Sequence, residues 1–214
     1  FAKGKRNGEA MLDDMALYSQ ASFRLFQVSS KGQFLLKAKA LTESILGIFN
    51  DPESTLFWYS TDTSLVIRTK EVDDNVIPSS NSIMARNLYA LGVVLGEPAW
   101  IERANAMLNQ VYSRMESYGE GYSNWASLWM EMDLPHYELV IIGSDAEEKY
   151  QMLTSEFLPS CTLLYNTDAS SNLAPFKDRW VDGKTLFYLC EEGSCQLPDE
   201  NLNRVLEILR KAYD

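Results

Sequence analysis

The chain has 214 residues, of which 46% are hydrophobic and 23% are charged, so it can bury one large core or two modest ones. Its 19 Lys and Arg residues against 30 Asp and Glu give a net charge of −11. This balance argues against nucleic acid or an anionic membrane as the main partner, because both require a basic surface. The chain also has no run of about 18 apolar residues, so no segment is expected to span a bilayer.

The chain begins at Phe1 rather than Met, which we interpret as the sign of a fragment or a processed product. The start shows no charged segment followed by an apolar one, as a secretory signal would. We therefore expect a cytoplasmic protein whose true N-terminus lies upstream.

The first 130 residues predict helices joined in pairs. An amphipathic pattern predicts a helix at about residues 11–29, and a second apolar pattern runs from residue 34 until residues 50–52 stop it. Two more helices are predicted on either side of the break at residues 96–98. A fifth, short helix is predicted at residues 123–132.

Two short strands are predicted between the second and third helices. Residues 56–59 and 65–68 are rich in aromatic and branched side chains, and residues 61–64 between them are typical of a turn. The sequence therefore predicts a β-hairpin that leads into residues 68–82.

Residues 68–82 combine charges with turn-forming residues, which makes them the expected functional surface. Pro78 followed by Ser79 is typical of a helix start. The carboxylates here, with Asp13 and Asp14 at the start of the first helix, could provide a general acid and base for a hydrolase. The alternative, which the usual behaviour of surface acids favours, is negative charge that complements helix dipoles.

The pattern changes after Pro135. Apolar strands are predicted at residues 138–143, 161–165 and 185–190, with helices at residues 146–158 and from about residue 199 onward. This order predicts a small α/β module, and hence two domains at residues 1–135 and 136–214.

His136 is the only histidine, which excludes a two-histidine metal site. We interpret it as a linker residue rather than a ligand. The glycine patterns of nucleotide-binding loops are absent, and neither a cofactor nor a metal is expected.

The three cysteines are Cys161, Cys190 and Cys195, which is too few for a disulfide scaffold. The turn-like residues 191–194 could bring the sulfurs of Cys190 and Cys195 close enough for a bridge in an oxidising compartment. Two reduced thiols are the favoured interpretation, because most intracellular cysteines are reduced.

Several segments, taken in order, resemble one family. Residues 12–16 look like its L-x-D-Y-A helix start, and residues 68–82 are similar to its R-P-K-x-x-x-D-G-A-x-P-S-G-N-S segment. Residues 137–143 look like its E-V-V-I-x-G strand, while residues 188–190 and 195–198 look like its terminal Y-V-C and C-x-x-P. The family is that of the spermatogenesis-associated thioredoxin-like proteins, in which a thioredoxin-like domain precedes an (α/α) toroid related to six-hairpin glycosidases and N-acylglucosamine 2-epimerases.

The resemblance implies a mainly α fold, in which a partial (α/α) toroid of helical hairpins with a β-hairpin insert is followed by the small C-terminal α/β module. It also implies a carbohydrate ligand, with Asp14 and Asp74 as catalytic carboxylates and Arg68 and Asn81 as substrate contacts. The alternative is a non-catalytic interaction domain that accompanies an upstream thioredoxin-like domain. In that case Cys190 and Cys195 are the redox candidates.

Overall fold

A computed structural model describes residues 10–191 and 193–212, and within these ranges the chain forms seven α-helices and a four-stranded sheet. All five helices that the sequence predicts before residue 135 are confirmed. They are α1 (Leu12–Ser29), α2 (Gly32–Ile48), α3 (Ser80–Leu95), α4 (Pro98–Ser117) and α5 (Ser123–Asp133), with a short 3₁₀ helix (Gly119–Tyr122) before α5.

Two left-handed residues make the helical hairpins possible. Ser30 ends α1 with a φ of 56°, and its N–H donates to the carbonyl of Phe26 over 2.8 Å. Gly96 ends α3 with a φ of 68°, and Pro98 starts α4 two residues later, where its missing N–H is not needed. The chain thus reverses twice, so α1 packs against α2 and α3 packs against α4.

The predicted β-hairpin insert is wrong. Residue 57 forms only an isolated bridge with Asn50, and the backbone groups of residues 58 and 59 bond to separate segments, so no single strand pairs with residues 57–59. The second predicted strand is an exposed loop. The bonds run from Trp58 N to Phe49 O (2.9 Å), from Tyr59 N to Thr69 O (2.9 Å) and from Leu12 N to Tyr59 O (3.0 Å).

The C-terminal part forms a mixed sheet with the strand order β2-β1-β3-β4, in which β1 runs parallel to β2 and antiparallel to β3. The helix after β1 is shorter than predicted, and the sequence did not predict β4. The elements are β1 (Tyr137–Ile142), α6 (Ala146–Leu153), β2 (Cys161–Asn166), β3 (Leu186–Glu191), β4 (Ser194–Cys195) and α7 (Leu202–Ala212).

Side chains alternate between the two faces of the sheet along each strand, and helices cover both faces. Leu139 and Ile141 of β1 pack with residues of α6 and α7. On the other face, Val140 and Ile142 share a core with Phe26 of α1. This second core includes side chains from both sides of residue 135, and the division into two domains stays a prediction.

The helical part provides two hairpins and a fifth helix, and a toroid built from such hairpins stays a prediction. Among the described residues, no helix combines the length and the apolar character that crossing a membrane requires.

Candidate functional site

The charged residues 68–82 fold into a cap over the N-terminus of α3. Ser79 is the N-cap residue, and its Oγ accepts a hydrogen bond from Ser82 N over 3.3 Å. The Glu71 carboxylate accepts from Ser80 N over 2.9 Å. These side chains satisfy backbone N–H groups that have no partner within the helix.

Asp74 is buried at the centre of this cap, with only 8% of its surface exposed. Its Oδ1 accepts hydrogen bonds from Ser79 N (2.8 Å) and Ser82 Oγ (2.7 Å). Its Oδ2 accepts from Asn124 N (2.8 Å), in the first turn of α5. Asp74 therefore joins the cap, α3 and α5 through both carboxylate oxygens.

Asn81 is fully buried, and its side-chain amide pairs with the backbone N–H and C=O of residue 57 as a neighbouring strand would. Its Oδ1 accepts from Phe57 N (2.7 Å), and its Nδ2 donates to Phe57 O (3.0 Å). The same Nδ2 donates to Glu71 O over 2.9 Å. Its amide thus makes three hydrogen bonds to the backbone.

The remaining two predicted site residues, Asp14 and Arg68, also form hydrogen bonds with nearby backbone atoms. Asp14 is exposed in the first turn of α1, where its carboxylate accepts from Met11 N over 3.2 Å. Arg68 donates from Nη2 to Ser60 O over 2.9 Å, and its guanidinium lies 4.6 Å from the ring centre of Trp58. The catalytic role of Asp14 and the substrate-binding role of Arg68 stay predictions, as do those of Asp74 and Asn81.

A cavity of about 570 Å³ opens elsewhere, between α3, α4 and the start of β1. Tyr89 and Val93 of α3 and Ile101 of α4 contribute much of its apolar lining. Polar groups from two different layers also line it. They are Glu102 and Asn105 of α4 and, on the sheet side, His136 and Glu138.

Glu138 is the only charged residue of β1 and lies half-buried on the face of the sheet towards the helical layer. Burial raises the pKa of its carboxyl from 4.5 to about 7, and the nearby Arg179 only partly offsets this. Near neutral pH the carboxyl is therefore partly protonated, so it can donate or accept a hydrogen bond.

His136 lies beside Glu138 in the cavity wall. Its Nε2 is 3.1 Å from Thr162 Oγ1, while its Nδ1 is buried and has no hydrogen-bond partner among the residues that the structure describes. Burial lowers the pKa of the ring, which favours the neutral imidazole. The Tyr89 ring meets it edge-on, with 5.5 Å between ring centres. His136 is thus a wall residue of the cavity and not only a linker.

Cys190 and Cys195 form a disulfide that pins β3 to β4 next to this cavity. The prediction that these two cysteines are reduced thiols is therefore wrong. The two cysteines are direct cross-strand partners, so strand pairing already brings their side chains together. Gly193, at the tip of this hairpin, lines the cavity.

Comparison with known proteins supports a distant relationship over most of the chain. The present chain is 25% identical over 200 residues to spermatogenesis-associated protein 20 of Mus musculus. The proteins of the same name from Homo sapiens and Rattus norvegicus are 24% and 25% identical over the same length. Each match covers 87% of this chain but only 25% of the relative. No family model matches the chain.

The distant relationship agrees with the resemblance noted in the sequence, and it leaves the toroid and the thioredoxin-like domain as predictions. The chain spans about a quarter of the length of the relatives that it matches. Sequence reasoning missed the cavity, although one signal was available. Glu138 interrupts an otherwise apolar strand, and a buried carboxyl within such a strand is uncommon unless it has a function.

Proposed function

We propose that this chain binds a small polyhydroxylated ligand, a sugar or a sugar-like molecule, in the cavity between α3, α4 and β1. One observation carries the proposal. Two half-buried polar side chains, His136 and Glu138, line the same cavity as Glu102 and Asn105, against an apolar and aromatic surface. These polar side chains can donate hydrogen bonds to sugar hydroxyls and accept hydrogen bonds from them, while the C–H faces of a sugar ring pack on apolar groups.

The size of the cavity supports a ligand of this class. Small-molecule sites usually enclose about 300–1,000 Å³, and this cavity of about 570 Å³ lies within that range. The choice of a sugar among hydroxylated ligands rests on the resemblance to a family with a toroid related to glycosidases. We propose on the same basis that α1 to α5 are part of an (α/α) toroid, which their arrangement in hairpins supports.

The proposal is tested by a thermal-shift screen with glucose, mannose and N-acetylglucosamine at several concentrations. A ligand that binds only the folded state raises the melting temperature in a concentration-dependent way. We expect at least one sugar to stabilise the wild type. We expect Glu102→Gln to weaken its binding about tenfold, because a hydrogen bond from the sugar to the charged carboxylate would be lost, which contributes about 1.4 kcal/mol.

Glu116→Gln is the matched control, since Glu116 is an exposed glutamate of the same helix that does not line the cavity. It should bind the sugar as the wild type does. Equal weakening in both variants, or no stabilisation by any sugar, would count against a sugar site in the cavity.

A second candidate function, a non-catalytic interaction domain, is supported by the outer surface of α1. Leu17, Tyr18, Leu25 and Val28 are exposed, and their spacing places them on one side of the helix. An apolar stripe of this kind usually contacts another protein surface. We propose that it packs against helices from another part of a longer polypeptide, because the relatives are about four times as long as the part that matches.

Leu25→Ser tests this second candidate. We expect it to change the free energy of unfolding of the present chain by less than about 0.5 kcal/mol, since the side chain is exposed. In the full-length gene product it should destabilise the fold by more than about 1 kcal/mol, because the same side chain would be buried there. Lys37→Ser on α2 is the control, and equal effects of Leu25→Ser in both proteins would contradict the candidate.

A further inference from the structure

The two sulfurs of the cystine differ in their surroundings. Cys190 is buried within β3, with 3% of its surface exposed, whereas Cys195 lies exposed in β4. An incoming thiolate can therefore reach the sulfur of Cys195 from solvent, and the sulfur of Cys190 is shielded. The outcome of thiol–disulfide exchange depends on which sulfur can be attacked. This difference in exposure favours attack at Cys195, with Cys190 as the leaving group.

A guanidinium group lies against both sulfurs. Nη2 of Arg179 is 3.6 Å from the Sγ of Cys195 and 4.0 Å from the Sγ of Cys190. The residue is held in place by Tyr188, whose hydroxyl donates to the Arg179 carbonyl over 2.5 Å and whose ring centre lies 5.3 Å from the guanidinium. A fixed positive charge beside a sulfur stabilises its thiolate, which makes that sulfur a better leaving group.

A carboxyl group is available on the same face of the sheet. Glu138 is the Cα partner of Cys190 in the neighbouring strand, so their side chains point the same way. The charge of Arg179 acts on this carboxyl, and His136 and Glu102 line the same cavity. Glu138 is thus suitably placed to supply a proton at this end of the sheet.

The third cysteine has a contrasting environment. Cys161 is the Cα partner of Tyr137, on the opposite face of the sheet from Glu138 and Cys190. Burial raises the pKa of its thiol to about 12, so almost none of it is thiolate at neutral pH. Cys161 therefore serves as an internal reference for an unreactive thiol.

The fold does not depend on the disulfide for its main contacts. The bridge closes a loop with only four residues between the cysteines, and β4 is a two-residue strand. The pairing of β3 with β1 extends over six residue pairs, of which only one includes a cysteine of the bridge. Reduction can therefore occur in the folded protein.

We propose that the Cys190–Cys195 cystine is a thiol–disulfide exchange site that accepts two electrons from a dithiol, with attack at Cys195 and Cys190 as the first leaving group. This inference does not depend on sugar binding. A thiolate of the dithiol bonds to the Cys195 sulfur, the bridge breaks, and the Cys190 thiolate takes a proton from Glu138, which regains one from solvent. The second thiolate of the dithiol then closes a disulfide within the dithiol and releases Cys195 as a thiolate beside Arg179.

Two measurements on the intact chain test the proposal. In the first, the oxidised wild type reacts with glutathione, a monothiol, and is quenched with iodoacetamide before peptide mapping by mass spectrometry. We expect glutathione on Cys195 and the alkyl group on Cys190. Glutathione on Cys190, with the alkyl group on Cys195, would overturn the proposal.

The second measurement is the rate of reduction by excess dithiothreitol at pH 7, followed by alkylation of the released thiols. We expect Arg179→Gln to slow reduction about fivefold, because the charge that stabilises the thiolates is lost, and Arg179→Lys to restore most of the rate. Arg210→Gln, at an exposed arginine of α7, is the control. Equal rates in Arg179→Gln and Arg210→Gln would overturn the proposal, as would loss of the far-UV circular dichroism on reduction.

Discussion

Asp74→Ala should destabilise the chain by about 3 kcal/mol, because it removes the acceptor of several hydrogen bonds in a buried place. The backbone N–H groups of Ser79 and Asn124 and the hydroxyl of Ser82 would lose their common partner. Each buried donor left without a partner contributes about 1–3 kcal/mol to the loss. Urea denaturation of the purified variant measures the effect directly.

Asp62→Ala is the control for this experiment. Asp62 lies in the exposed loop just before the cap, and its carboxylate accepts hydrogen bonds from Ser64, two residues further along the chain. We expect little change in the unfolding midpoint of that variant. A loss below about 1 kcal/mol for Asp74→Ala would mean that the cap does not depend on this carboxylate, and the catalytic prediction for Asp74 would gain weight.

Glu138→Gln should change how the stability of the chain depends on pH. The carboxyl of Glu138 has a pKa of about 7 in the folded chain and an ordinary value of 4.5. The folded state therefore binds more protons than the unfolded state between these values, so the contribution of Glu138 is fully present below pH 4.5 and is lost as the pH rises through 7. Each pKa unit corresponds to about 1.4 kcal/mol, which gives a loss of about 3 kcal/mol.

The comparison of wild type and variant isolates this effect. His136 titrates with the opposite sign, because burial lowers the pKa of its ring, and its contribution is present in both proteins. We expect the free energy of unfolding of the wild type, minus that of Glu138→Gln, to fall by about 3 kcal/mol from pH 4.5 to pH 8. A difference that stays constant over this interval would show that Glu138 is not buried as the structure has it.

The helices could be predicted from the sequence because each has a local signal. The apolar spacing of α1 and α2 and the Gly96 to Pro98 break between α3 and α4 depend on neighbouring residues alone. The β-hairpin failed for the opposite reason. Residues 57–59 have the composition of a strand, yet their backbone bonds go to Phe49, Thr69 and the Asn81 amide, which are distant in sequence.

The candidate site was harder to predict, because its residues come from α3, α4 and the sheet. Neither Glu102 nor Asn105 differs in sequence context from any surface residue of an amphipathic helix. The charged residues 68–82 attracted attention through composition, but composition does not show that Asp74 and Asn81 already have internal partners. The disulfide depended on the pairing of β3 with β4, a strand too short to predict.

The measurement that tests the central claim most directly is a sugar titration of the ¹⁵N-labelled chain, followed in ¹H–¹⁵N NMR spectra. The account predicts that saturable shift changes concentrate on the amides of Gly92, Val93, Gly96 and Gly193, around the cavity, and that Glu102→Gln weakens them. Changes confined to the amides of residues 68–82, with those four amides unaffected, would contradict the account. They would instead favour the sequence-based prediction that the ligand binds near Asp74 and Asn81.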